Sequence, residues 1–143
     1  MKAEFCGLDR RLDELNARIK RLQQLAARPR ADFDASQDLR DIAERNFEVA
    51  AQCCIDIAHR VISLEGARKP RDYYESIIRL AEMGVLPREL AHTLAAVAGF
   101  RNLLVHEYAG IDWDEVYRNF QRLPELRAFA GRIAQWMEEK TGR

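Results

Sequence analysis

The chain has 143 residues, 48% of them hydrophobic and 32% charged, a balance that excludes a disordered chain and suffices for one packed core without a metal or disulfide staple. Its 23 Lys and Arg cancel its 23 Asp and Glu, so no overall positive field draws in nucleic acid or an anionic membrane, and any RNA contact must come from a local patch. The three cysteines, Cys6, Cys53 and Cys54, are odd in number and lack metal-ligand spacing, and neighbours on a helix are badly placed to bridge each other; free thiols in a reducing cytosol are expected. The amino terminus becomes charged before an apolar run of signal-peptide length develops, and no later stretch nears the ~20 apolar residues of a membrane span. The expectation is a soluble, cytoplasmic, single domain over residues 1–143.

Phe5, Leu8, Leu12, Leu15, Ile19, Leu22 and Ala26 alternate in steps of three and four, which predicts a first amphipathic helix from about residue 4 to Arg28, closed by Pro29. A second helix, capped by Asp34 or Ser36, carries Leu39, Ile42, Val49, Cys53, Ile57, Val61 and Leu64 and ends at Gly66. The basic turn Ala67-Arg68-Lys69-Pro70 leads to a short helix through Tyr74, Ile77, Ile78 and Ala81 that stops at Gly84. Pro87 suits the first turn of a fourth long segment bearing Leu90, Leu94, Val97 and Leu104. Asp112 and Glu115 give a capping-box-like start to a last helical region with Val116, Phe120, Leu123, Ala130, Ile133 and Met137, which Pro124 should kink or split. No stretch alternates with a period of two for long enough to argue a strand, so the predicted fold is all-α: an antiparallel four-helix-type bundle with an additional short helix.

In Phe100-Arg101-Asn102-Leu103-Leu104-Val105-His106-Glu107-Tyr108, an arginine, an amide, an imidazole and a phenol interrupt an otherwise apolar helix. Such groups need partners or a task. At about 100° per residue, Asn102 and His106 share a face, whereas Arg101 and His106 stand about 140° apart, so these two line one pocket only through a distorted helix, another element or a second subunit. An imidazole can move a proton near neutrality, and a guanidinium can brace the extra charge of a pentacovalent phosphorane. RNA brings its own nucleophile, the 2′-hydroxyl. The pair would therefore suffice to leave a 2′,3′-cyclic phosphate without a metal or other cofactor. From spacing alone the structural account is the more usual one: Arg101 paired with an Asp or Glu, His106 capping or packed inside the bundle and Tyr108 in the core.

Arg101-Asn102-x-x-x-His106-x-Tyr108 resembles the Arg-x4-His-x-Tyr signature of HepT-type HEPN ribonuclease toxins. The resemblance extends through Arg45-Asn46-Phe47, Cys54-Ile55-Asp56-Ile57-Ala58-His59, Leu80-Ala81-Glu82-Met83-Gly84-Val85-Leu86 and Tyr108-Ala109-Gly110-Ile111-Asp112, over roughly residues 1–140. It implies a HEPN bundle that forms a homodimer, or a larger hetero-oligomer, with two motif helices facing across a cleft. It implies an endoribonuclease toxin cutting tRNA or mRNA, with Arg101 and His106 catalytic and Asn102 binding or orienting substrate. The implied partner is a nucleotidyltransferase antitoxin of the MntA type, which silences the toxin by transferring AMP from ATP to Tyr108. A different class of function, a non-catalytic subunit that docks on a nucleotidyltransferase and holds a nucleotide in the same cleft, differs from it in not requiring His106 chemically.

Among the remaining polar residues, His59 and His92 are expected partly buried or at the surface, and Arg68, Lys69 and Arg71 form a solvated turn or grip an RNA backbone. Arg40 and Arg45 are candidates for a cleft or for pairing with Asp38, Asp41 or Glu44, and Trp113 and Trp136 for core or interface anchors.

Overall fold

The stripe of the first helix is what the first layer of the core is made of. In the computed structural model, which describes residues 5–106 and 110–142 without the side chains of Cys6, Ala98, Val105 and His106, helix α1 spans Cys6–Ala26. Phe5, Leu8, Leu12, Leu15, Ile19 and Leu22 are all buried, and the stripe closes on Leu25 instead of Ala26, which faces solvent.

Pro29 ends α1 but does not open a loop. Its extended backbone, with φ −61° and ψ 146°, is the N-cap of a short helix, α2 (Arg30–Asp34), that the sequence pattern did not predict. This single turn drives Phe33 into the core, with ring centroids 5.5 Å from Trp113, 6.1 Å from Tyr117 and 5.7 Å from Phe120. Arg40 closes α2 by donating to the carbonyls of Phe33 (2.6 Å) and Asp34 (3.0 Å), so it is committed to the backbone and not to a cleft.

Ser36 caps the central helix α3 (Gln37–Leu64), its hydroxyl accepting from the Leu39 N–H at 3.2 Å. This helix packs against α1, α2, α4 and α5 and is therefore buried around most of its girth, with Ala43, Phe47, Ala50, Ala51, Cys54 and Ala58 all inside. The predicted stripe is corrected at Ile42, which is 37% exposed: alanines that carry little hydrophobic signal let neighbouring helices approach and so define the buried face. Arg18 donates to the Asn46 side chain at 3.2 Å and Arg11 pairs with Asp56 at 3.7 Å, a falling register that sets α1 antiparallel to α3. Burial pushes the Cys53 thiol up to about 11 and the Cys54 thiol higher still, so both are inert free cysteines.

Gly66 (φ 68°) and Gly84 (φ 78°) adopt the left-handed backbone that follows α3 and α4 (Tyr73–Glu82), as their helix-ending roles require. Helix α5 spans Arg88–His106, and Pro87 sits just before it, its carbonyl accepting from the Ala91 N–H at 3.0 Å. Pro124 does split the last region: α6 (Trp113–Arg118) passes through a 3-10 turn (Asn119–Arg122) into α7 (Leu123–Lys140), with the proline in its first turn. Asp112 caps α6 through the Asp114 N–H at 2.9 Å. The described residues contain no strand; four long helices (α1, α3, α5, α7) form the bundle, with α2, α4 and α6 as short additions where the sequence predicted one.

Candidate active site

Helix α5 is keyed into the bundle by Phe100 and Leu104, four residues apart and both buried, with the Phe100 ring 5.6 Å from that of Phe47. That anchoring fixes the rotation of the helix, and the residues immediately after Phe100 turn away from the core. Arg101 is half-buried and Asn102 exposed.

The Arg101 guanidinium lies over the Tyr73 ring, 5.5 Å from its centroid. Its Nε is buried without a hydrogen-bond partner, and among the described residues no carboxylate pairs with it. The structural account of the motif needs an ion-paired Arg101, and no described carboxylate supplies that pair. Asn102 lines a cavity of about 640 Å³ between α4 and α5, together with Arg71, Asp72, Tyr73, Tyr74, Ala95, Ala96 and Gly99. Tyr74, which the sequence pattern assigned to the buried stripe of the short helix, is 53% exposed at this cavity, and Tyr73 takes the inward place beside it.

His106 is the final residue of α5, one turn beyond Asn102; its side chain, and Tyr108 altogether, lie outside the described residues. Because α5 is α-helical without interruption to His106, local distortion does not bring positions 101 and 106 onto one face, and the offset of about 140° persists. A site that uses both must draw on another element or a second copy of the chain.

Arg71, which lines the cavity, belongs to an ionic lattice. Glu75 accepts from the Arg71 backbone N–H (3.0 Å) and Nε (2.9 Å) through one oxygen and from Arg79 (2.6 Å) through the other, while Arg79 also donates to the Arg68 carbonyl. Hydrogen bonding from Arg71, then Arg79, holds the Glu75 carboxyl down at about 2. The basic turn is thus tied to α4, and Arg71 is engaged within the chain. Arg45 pairs with Glu48 at 3.2 Å, not with the acids the sequence suggested. His59 and His92 are exposed; the His59 ring stands 6.0 Å from that of Tyr73. Tyr73 is the site residue that sequence reasoning missed, and its only signal was its place directly after the Asp72 cap. Among the described residues no group of three or more His, Cys, Asp or Glu is arranged to hold a metal ion.

Residues 15–133 match the model of the family described as "Ribonuclease HepT-like". The chain belongs to the HepT-like ribonuclease family. Among its relatives, it is 30% identical over 110 residues to the tRNA nuclease HepT of Aphanizomenon flos-aquae, covering 77% of this chain and 75% of that one. It is 29% identical over 98 residues to the mRNA nuclease HepT of Shewanella oneidensis, covering 68% and 73%. The fold superposes on the tri-AMPylated Shewanella oneidensis HEPN toxin solved in complex with MNT antitoxin, with a TM-score of 0.82 over 94% of this chain and 99% of that one at 24% identity. The HepT-like chain is thus a ribonuclease-family protein, as the motif suggested, with the helical-bundle fold of that solved HEPN structure. No helix among its described residues is long and apolar enough to cross a membrane.

Proposed function

We propose that this chain is a cytoplasmic endoribonuclease toxin, a single domain over residues 1–143 that works as a homodimer on tRNA or mRNA and is silenced by a nucleotidyltransferase antitoxin of the MntA type. The observation that carries the site is Arg101: a half-buried guanidinium with an unpartnered Nε and no carboxylate ion pair among the described residues, one position from the cavity-lining Asn102. Burying part of a cation without a counter-charge costs stability, and a scissile phosphate restores the balance.

In this mechanism His106 takes the proton of the ribose 2′-hydroxyl, whose oxygen attacks phosphorus. Arg101 stabilises the phosphorane as charge builds on its oxygens, and Asn102 orients the phosphate or the adjoining sugar. The bond to the 5′-oxygen breaks, and that oxygen collects a proton from the second copy's His106 side chain, leaving a 2′,3′-cyclic phosphate. Pairing two α5 helices across a cleft supplies the juxtaposition of residues 101 and 106 that one unbroken helix does not. The relatives that act on tRNA and on mRNA support the substrate class, and the tri-AMPylated toxin in complex with MNT antitoxin supports the control. In that control the Tyr108 phenol oxygen attacks the α-phosphorus of ATP and pyrophosphate leaves. The AMP phosphodiester and base then keep substrate phosphate from Arg101 by charge and by volume.

The test is His106→Ala expressed alone and with the antitoxin. Growth inhibition and RNA cleavage are lost while antitoxin binding survives; a His106→Ala protein as toxic as the parent ends the proposal. Intact-mass measurement after incubation with the nucleotidyltransferase and ATP adds whole AMP increments to the parent and none to Tyr108→Phe.

A further inference from the structure

We infer that Tyr73 is a positioning residue for Arg101: its ring holds the guanidinium in place without consuming the donors that grip phosphate. The inference rests on the catalytic reading of Arg101 given above.

An arginine that must bind a substrate phosphate faces a conflict. If a carboxylate holds it still, that carboxylate competes with the phosphate for the same N–H groups and cancels the charge. If nothing holds it, the long side chain spreads over many rotamers, and ordering it on binding costs free energy. An aromatic face resolves the conflict, because it attracts the cation through the ring quadrupole and leaves the in-plane donors untouched. Arg101 shows this arrangement: guanidinium carbon 5.5 Å above Tyr73, Nε unpartnered, and no carboxylate paired to it among the described residues.

The backbone that carries the ring is itself fixed, and a ring from α3 stands beside it. Tyr73 is the first residue of α4, set by the Asp72 cap that accepts from the Glu75 N–H at 2.7 Å. The backbone behind it is clamped by the Arg71–Glu75–Arg79 lattice, and its carbonyl accepts the Ser76 hydroxyl at 2.6 Å. On α3 the His59 ring stands against it at 6.0 Å. Helices α3, α4 and α5 thus meet at one aromatic platform under the motif arginine, and the tightly bound turn before α4 gains a purpose beyond linking helices.

The experiment compares Tyr73→Leu with Tyr73→Phe, alongside Arg101→Ala, on total bacterial RNA. Because the ring positions the guanidinium that stabilises the charge developing on phosphorus, the loss falls on the saturating cleavage rate. The RNA concentration for half-maximal rate changes little, since binding is spread over many phosphates. Tyr73→Leu cuts the saturating rate by roughly ten- to a hundredfold at unchanged melting temperature, whereas Tyr73→Phe stays within about twofold. The Arg101 Nε–H proton resonance, shifted by the ring current, moves in Tyr73→Leu and stays in Tyr73→Phe. Should Tyr73→Leu fold poorly, Tyr73→Met, close in length and without a ring, is read in the same way. Full activity in the ringless variant beside a dead Arg101→Ala overturns the inference and leaves Arg101 catalytic; so does a Tyr73→Phe loss as deep as that of Tyr73→Leu. An Arg101→Ala protein that still cuts RNA removes the catalytic reading and this inference with it.

Discussion

The Trp136 indole N–H donates to the Glu65 carboxylate at 3.0 Å, joining the end of α7 to the residue that closes α3. Lys140 reaches the same Glu65 oxygen at 2.8 Å, and the Trp136 ring lies 5.6 Å from that of Phe5 at the start of α1. One side chain thus ties three of the four long helices together at one end of the bundle. Glu65→Ala leaves a buried indole donor unpaired and should cost about 1–3 kcal/mol, readable as a lower urea midpoint, while Glu65→Gln, which keeps an acceptor, should lose less. Equal loss in both variants would assign the effect to the Lys140 ion pair and not to the indole.

Phe33 tests the short helix that interrupts the first connection. It is fully buried among Trp113, Tyr117 and Phe120, so Phe33→Ala should cost about 3–5 kcal/mol in a denaturant titration. Phe33→Leu, which refills most of the volume, should recover much of that. A small cost for Phe33→Ala would mean that α2 is not pinned to α6.

Why the sequence concealed α2 while disclosing the rest follows from length. A helix of 21 residues repeats its stripe often enough to declare its face, whereas the five residues of α2 present one aromatic and no period. Alanines blurred the buried face of α3 for a related reason: Ala43, Ala50, Ala51 and Ala58 pack tightly yet carry weak hydrophobic signal, so Ile42 was credited with a burial it lacks. Among the proposed site residues, Arg101 and Asn102 were legible because polar groups in an apolar run stand out. Tyr73 was not, since its role depends on the approach of α4 to α5, two elements joined in space by packing and not by any spacing in the chain.

Acid should loosen the platform before it unfolds the core. The Glu75 carboxyl is depressed to about 2, first by its hydrogen bond from Arg71, and Glu65 is lowered by its bond from Lys140. Depressed carboxyls contribute stability that is complete above their unfolded value of about 4.3 and disappears as pH falls through the folded value. The melting temperature should therefore decline between about pH 4.5 and pH 2, and the Glu75→Gln variant should show a shallower decline. Identical pH profiles for parent and variant would remove Glu75 from the account.

Gly99 separates the use of the cavity from the stability of the helix that forms its wall. It sits within α5 at a point where an added Cβ meets nothing within 4 Å, and it lines the cavity beside Asn102. Helix propensity then favours a larger residue: Gly99→Ala should raise stability by about 0.5–1 kcal/mol without a clash. Gly99→Leu should also fold, but its side chain projects into the volume where the proposed function places RNA, so cleavage should fall by roughly tenfold or more while the melting temperature holds. Sedimentation of the same sample distinguishes a blocked cavity from loss of the proposed homodimer. A Gly99→Leu protein that is stable, dimeric and fully active would show that substrate reaches Arg101 by another face.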